Sequence, residues 1–433
     1  MSIREASPAQ PPASTRTGWY AVLVLSVGLL LAFTDRLIIN LVVDPIRREL
    51  ALSDVQISLL QGAGFALIYA VAGLPCGRLA DSMNRRNLIA GGVLVWSLAT
   101  VACGFAFDFW SFLAARIAVG LGEAALVPAA SSLIIDFFSP RQRGAALGVF
   151  SLGAVFGSGV ALLVGGALLA LIDAGKLNFL FSSEKFAAWR QLLVLVGAPG
   201  FVLLPFLLLI AEPTRQHSSG LLPIAEVFRH LLANQGAVLR VCLVKAILAA
   251  GDYGLISWLP TLLQRNYHLP PLAVGGVLAL SVSLSGAIAS VAGGAVSDWV
   301  VRRWGVPARV VLLLGCYPLT VAGALGIFFA RTGQQAAWAM AVWAIGHIVM
   351  QEWVPNEMRA TTIAVSLTSS ALLGIGLGPT LVALVAKHGF GAEAALQPAM
   401  GTVSLSAACL ALLVVGSPIR RGIAALAASR HSA

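Results

Sequence analysis

The chain has 433 residues, of which 58% are hydrophobic and only 11% charged, with a formal net charge of +10. Soluble domains carry roughly a quarter charged residues, so a soluble globular protein is excluded. The apolar runs are long and continuous rather than alternating, which marks helical membrane spans of about 20 residues and excludes barrel strands.

In chain order, residues 1–17 form a polar, proline-containing tail that lacks the short apolar core and cleavage site of a leader. Twelve spans follow, at roughly 18–43, 55–77, 87–107, 109–135, 144–172 and 190–211, then 238–263, 272–296, 309–330, 336–351, 360–386 and 398–416. The tenth, rich in Ala and Trp, has the weakest hydropathy signal. The expected fold is an all-α integral membrane protein, with twelve transmembrane helices in two pseudo-symmetric six-helix bundles, 18–211 and 238–416. A polar breaker beginning at Glu212-Pro213 opens a linker over 212–237, and residues 417–433 form a second tail. Within the linker, Pro223 to Ala233 has apolar residues at helical spacing, which suits either a helix lying along the membrane face or a plain connecting helix.

The two bundles are copies of one unit. Gly77, Asp81, Arg85 and Arg86 follow span 2, and the same types recur 217 positions later as Gly294, Asp298, Arg302 and Arg303. The same offset carries Asp35 onto Asp252, and Gly157 and Gly159 onto Gly374 and Gly376. Parallel six-span repeats are the arrangement of the two halves of a rocker-switch transporter. The repeated loop reads as a cytoplasmic gate: its glycines permit close helix approach, while Asp81 and Asp298 and the Arg pairs latch one side.

Lys and Arg set the orientation. Seventeen lie in segments on the side of the N-terminus, eight on the opposite side and three within spans. Both termini are therefore expected in the cytoplasm, with the protein in the inner (plasma) membrane. The basic excess is topogenic, and no nucleic-acid role is expected. Cys76, Cys103, Cys242, Cys316 and Cys409 all sit in apolar runs without ligand spacing, as packing residues do. No cluster of His, Cys and acids appears, so no metal, cofactor or enzymatic centre is expected.

Seven ionisable residues lie inside spans, where each is costly and faces a cavity or a partner. They are Asp35 and Arg36 in span 1, Arg116 and Glu123 in span 4, Lys245 and Asp252 in span 7, and His347 in span 10. Spans 1, 4, 7 and 10 each open a three-helix unit, so a shared central cavity accounts for the pattern. Arg116 and Glu123 are seven apart and share a helix face, whereas the adjacent Asp35 and Arg36 point in different directions. Asp35, Arg116 and Glu123 are expected to form a proton-sensitive network; the competing reading is a static bridge between Arg116 and an acid. Arg36, with Arg116 or Lys245, suits an anionic headgroup because guanidinium forks onto phosphate or carboxylate. Glu123, Tyr69, Asp252, Tyr253, Trp258 and Phe65 complete the expected wall. Lys245 also suits snorkelling to the interface, and His347 suits a packing role.

The duplicated Gly-x-x-x-Asp-x-x-x-Arg-Arg and the span-4 run Arg116-Ile-Ala-Val-Gly-Leu-Gly-Glu123-Ala resemble the major facilitator superfamily over nearly the whole chain. Asn84 stands where that family usually has Gly. More narrowly, Thr34-Asp35-Arg36, Leu52-Ser53-Asp54-Val55-Gln56, Leu79-Ala80-Asp81-Ser82-Met83-Asn84-Arg85-Arg86 and Gly120-Leu121-Gly122-Glu123-Ala124 are similar to the Spinster-like branch, with Leu37 where an aromatic commonly follows. That resemblance implies proton-coupled movement of an amphipathic lipid with an anionic head, such as a lysophospholipid or sphingolipid, and implicates Asp35, Arg36, Arg116 and Glu123 by position.

The expected function is therefore secondary active transport by alternating access, driven by protons, with an amphipathic lipid or small organic anion as substrate. The expected partners are that substrate, protons and the bilayer, with the chain acting as a monomer. A proton-driven multidrug or metabolite exporter is the alternative within transport. A non-transporting membrane sensor is the alternative from another class, and it requires an attached signalling domain.

Overall fold

The computed structural model describes residues 15–177, 186–213, 215, 237–304, 309–351, 369–392 and 395–431. Those residues are helical throughout, with short connections and no strand among them. Nine helices among the described residues are long and apolar enough to cross a membrane, and shorter apolar helices cover Pro271–Gly286 and Cys316–Phe329. The tenth span, weakest by hydropathy, is a helix over Gly333–Gln351. The start of the eleventh span and most of the linker and N-terminal tail lie outside the described residues.

The boundaries depart from expectation in instructive places. Span 1 is α-helical to Ile38 and continues as a 3-10 turn over Ile39–Leu41, and the chain then enters a short helix, Val43–Glu49, that the sequence reading left as connection. Asp44 lies in that helix's first turn and Arg47 and Arg48 in its last, complementing the helix dipole. Span 2 starts with a capping box in which Ser53 and Gln56 satisfy each other's backbone donors. It then widens into a π-turn over Leu59–Ala63 before continuing as Gly64–Ser82. Span 11 is likewise wide over Ser370–Leu377. Span 8 runs to Trp304 and span 12 to His431, well past the hydrocarbon thickness.

Packing follows the duplication. In the first half, span 1 lies against span 5, and span 3 against spans 4 and 6. In the second, span 7 lies against spans 11 and 12, and span 9 against spans 10 and 12. Across the halves, span 5 packs on span 8 and span 2 on span 11. Because span 8 repeats span 2 and span 11 repeats span 5, these two seams are equivalent under the internal symmetry.

The end of the molecule next to Val43–Glu49 is sealed by contacts between the halves. Arg265, at the end of span 7, reaches Asp44 at 2.7 Å and Asp54 at 2.7 Å. Asp54 is almost fully buried and also pairs with Arg47 at 3.2 Å. Below this pair, Gln61 donates to Asn40 Oδ1 and to the Ser257 carbonyl, both at 3.1 Å. Gln264 donates to the Leu41 carbonyl at 3.0 Å. Removing one member of a buried pair strands the other charge at a cost of about 3–5 kcal/mol, so Arg265 makes this closure selective rather than merely apolar.

At Gly62, in the wide turn, an added Cβ would collide with the Ile375 carbonyl of span 11. A Gly62→Val substitution should force the halves apart here and cost about 1–3 kcal/mol. Spin labels at Arg48 and Leu272, exposed on opposite halves at this end, should then report a longer distance. An unchanged distance distribution would contradict this account of the seal.

Candidate functional site

A cavity of about 220 Å³ lies between the halves, away from the sealed end. Span 1 contributes Phe33, Arg36 and Leu37, one helical face at i, i+3 and i+4. Ser158, Asp252, Tyr253, Ser285 and Met340 line it from spans 5, 7, 8 and 10.

The first-half wall is organised by a buried ion pair. Arg36 Nη2 donates to Glu123 Oε2 at 2.6 Å, joining span 1 to span 4. Both residues are buried. The guanidinium carbon lies 4.4 Å from the Phe65 ring centroid, 4.8 Å from that of Phe33 and 5.3 Å from that of Tyr69. Phe65 and Tyr69 are themselves stacked at 5.2 Å on span 2. Aromatic faces attract a desolvated cation, so the rings help hold Arg36 in place beside its carboxylate partner.

Span 4 reaches span 1 because its glycines let it sink between neighbours. A Cβ on Gly120 would lie 2.7 Å from the Phe65 carbonyl, and one on Gly122 2.7 Å from the Gly92 carbonyl. The run Gly120-Leu121-Gly122-Glu123 therefore sets the depth at which Glu123 meets Arg36.

Asp35 and Arg36 diverge as their adjacency requires. Asp35 is buried and turned toward span 3, where the Thr100 hydroxyl donates to its Oδ2 at 3.0 Å. Arg116, also buried, lies over Phe65 at 5.7 Å and donates from Nε to the Leu60 carbonyl at 3.0 Å. That carbonyl belongs to the wide turn of span 2, where the widened hydrogen-bond ladder shifts backbone acceptors away from their ordinary partners. Asp35, Arg116 and Glu123 thus share the interior of one bundle. The geometry routes the direct ionic contact through Arg36: Arg116, facing a carbonyl, makes no ion pair among the described residues. Asp35 Oδ1, Arg36 Nε, Arg116 Nη2 and Glu123 Oε1 are buried without a hydrogen-bond partner.

The other expected wall residues separate. Tyr69 caps the Arg36 guanidinium, and Asp252 and Tyr253 line the cavity. Trp258 does not line it: fully buried, it donates Nε1–H to the Pro379 carbonyl at 2.8 Å and ties span 7 to span 11. Lys245 is half-buried on span 7, and the His347 side chain lies outside the described residues.

The repeated loop is bound within its own half. Arg85, fully buried, pairs with Asp136, with Glu212 at 2.8 Å and with the Ser132 hydroxyl at 3.1 Å. The Arg86 amide donates to Glu212 Oε2 at 3.1 Å, and its guanidinium to the Leu208 carbonyl at 3.2 Å. Arg215 donates to the carbonyls of Ala80 and Met83. Asp81 is exposed, and nothing lies within 4 Å of a Cβ built on Gly77, so this glycine permits no close helix approach here. Arg302 and Arg303 are exposed; the side chain of Asp298 and the surroundings of Gly294 lie outside the described residues.

Phe33, Thr100, Asn40, Gln61 and Arg265 were missed by sequence reasoning. For Thr100, Asn40 and Gln61 a signal exists: each is a hydrogen-bonding side chain within an apolar run, and each is buried.

A profile of the Major Facilitator Superfamily matches residues 25–351. The chain is similar to a solved bacterial homologue of the human lysosomal transporter Spinster in an inward-facing, unoccupied conformation. The two share 28% identity and a TM-score of 0.76, covering 95% of this chain and 98% of the other. Among proteins of assigned activity, it is 28% identical to an efflux pump of the same superfamily type from Mycolicibacterium smegmatis, over 86% of this chain and 85% of that one. It is 26% identical to a sphingosine-1-phosphate transporter of Xenopus tropicalis, over 84% of this chain and 72% of the other. These relatives are transporters, not enzymes.

Arg36→Ala would leave Glu123 buried without its cation, at a cost of about 3–5 kcal/mol. Removing both partners in Arg36→Ala/Glu123→Ala should recover part of that loss in a thermal-unfolding double-mutant cycle. Strictly additive losses would show that the pair is not coupled.

Proposed function

Because the chain belongs to the major facilitator superfamily, we propose that it is a proton-coupled transporter whose two halves rock about the central cavity. The observation that carries the reading is the Arg36–Glu123 pair, one member of which lines the cavity while the other lies behind it. An anionic substrate entering the cavity competes with Glu123 for the guanidinium. A carboxylate that loses its cation inside a low-dielectric bundle neutralises by taking up a proton. Substrate binding and protonation of Glu123 then rise together, so substrate and proton cross in the same direction. Asp35, held by Thr100, is the second proton site, and Arg116 tunes both carboxylates from its seat on the wide turn of span 2.

The positive-inside distribution of Lys and Arg supports reading the sealed end as the outer one, with both termini on the cytoplasmic side of the inner membrane. The cavity then faces inward, and the similar bacterial structure is likewise inward-facing. The substrate class supported best is an anion with an apolar portion, either a lysolipid-like amphiphile or a small organic anion. Arg36 supplies the anion site, and Leu37, Val155, Ile256, Val282 and Met340 supply the apolar wall. The same apolar wall and the similarity to an efflux pump favour a second reading, a proton-driven exporter of hydrophobic compounds. Transport in that case would depend little on Arg36.

The test is uptake into vesicles reconstituted with the protein under an imposed pH gradient, against a panel of lysolipids, sugars and organic acids. Glu123→Gln and Asp35→Asn should each abolish acceleration by the gradient, while gradient-independent exchange persists. Unchanged pH dependence in both variants would remove the proton-coupling claim.

A further inference from the structure

A second cavity, of about 660 Å³, opens on the outside of the first half, between spans 1 and 6. Its volume falls within the roughly 300–1,000 Å³ of sites that hold whole organic ligands. Span 1 lines it with Tyr20, Leu23, Val24, Val27 and Leu31, a stripe along one helical face. On span 6, the small Ala198 lines it beside Pro199, which lacks the N–H that would bond the Leu195 carbonyl. Leu23 and Val202 are 64% and 66% exposed and lie within membrane spans, so hydrocarbon rather than water covers them.

The groove has the length and depth of one leaflet. From Tyr20 to Leu31 it follows eleven residues of helix, about 16 Å at 1.5 Å each. Half of a hydrocarbon core of roughly 30 Å is nearly the same. The groove begins where span 1 begins, at the membrane boundary. There Tyr20, the one polar side chain lining it, donates its hydroxyl to the Phe206 carbonyl at 3.0 Å, as an aromatic of the interfacial belt does. Arg16 lies one turn earlier on the same face of the helix. It is exposed and makes no ion pair or hydrogen bond among the described residues. One cation at the boundary above an apolar channel of leaflet length matches the charge pattern of an anionic lipid.

We propose that this groove is the binding site of one bilayer phospholipid with an anionic headgroup. Its acyl chain lies between spans 1 and 6, and its phosphate sits at Arg16. At 3.6 residues per turn, Arg36 points away from the Tyr20–Leu31 stripe. The lipid therefore backs the helix that presents Arg36 to the central cavity and does not compete for it. The site is distinct from the cargo site, and its occupant is a resident of the membrane.

The test is photolabelling of the full-length protein in phosphatidylcholine nanodiscs. Each preparation carries a trace of either phosphatidylglycerol or phosphatidylcholine, with the same diazirine placed midway along the same acyl chain. Labelling of the peptides that hold residues 20–31 and 195–206 should be roughly fivefold greater with the phosphatidylglycerol probe, the preference that one Arg near the surface confers. Arg16→Gln should bring that ratio close to one, and Arg16→Lys should retain most of it. Ala198→Trp fills the groove and should remove labelling there with both probes. Leu413→Trp, on the exposed face of span 12, should leave it unchanged. Equal labelling by the two probes in the wild type, or a preference that survives Arg16→Gln, would overturn the proposal in favour of unselected annular lipid. Labelling that survives Ala198→Trp would place the lipid outside the groove and overturn it as well. No labelling of the groove while the span 12 peptide is labelled would mean that another occupant, such as a second copy of the chain, covers it.

Discussion

The interaction on which the site depends is the contact between Arg36 and Glu123, made inside a bundle with little water to solvate either charge. Burying an ion pair is weakly favourable at best, because desolvation takes back most of the Coulombic gain. What makes this one tenable is the enclosure of the guanidinium by Phe33, Phe65 and Tyr69, together with the glycines that seat span 4 against spans 2 and 3. On the proposed mechanism, any anion that reaches Arg36 changes what Glu123 must do, and the static contact becomes a coupling device.

The two ends of the molecule use charge in opposite ways. At the sealed end, Arg265 joins the second half to Asp44 and Asp54 of the first, so opening this end means separating ions. At the other end, Arg85 and Arg86 with Glu212, Asp136 and Arg215 fasten spans 2, 3 and 4 and the start of the linker into one body. The first arrangement ties the two halves together, and the second ties elements of the first half to one another. The proposed rocking about the central cavity would draw on both. The wide turns of spans 2 and 11 meet where the halves touch, and such irregular turns within helices often mark functional sites.

Much of this was legible in the sequence because charge is so scarce in it. The repeated loop stood out for that reason, and it gave the duplication, the register and the equivalence of the seams. The cost of charge in a membrane likewise pointed to Asp35, Arg36, Arg116 and Glu123. Spacing along one helix tells which residues share a face, however, and not which turn of a neighbour they meet. The partner of Glu123 was therefore open, and Arg116 found a carbonyl displaced by a π-turn that no hydrophobic pattern announces. Arg265 was read only as a charge on the outer side, since topology counts treat loop cations alike. Trp258 looked like cavity wall, yet its indole N–H is spent on the Pro379 carbonyl of the next helix.

The central claim is that substrate takes Arg36 away from Glu123 and a proton replaces it. Proton exchange by the purified protein in weakly buffered solution measures this most directly, using a substrate already shown to be transported. Adding it to the wild-type protein should alkalinise the medium as Glu123 is protonated, and the change should disappear in Glu123→Gln. Substrate binding with no proton uptake, or with proton release, would contradict the account.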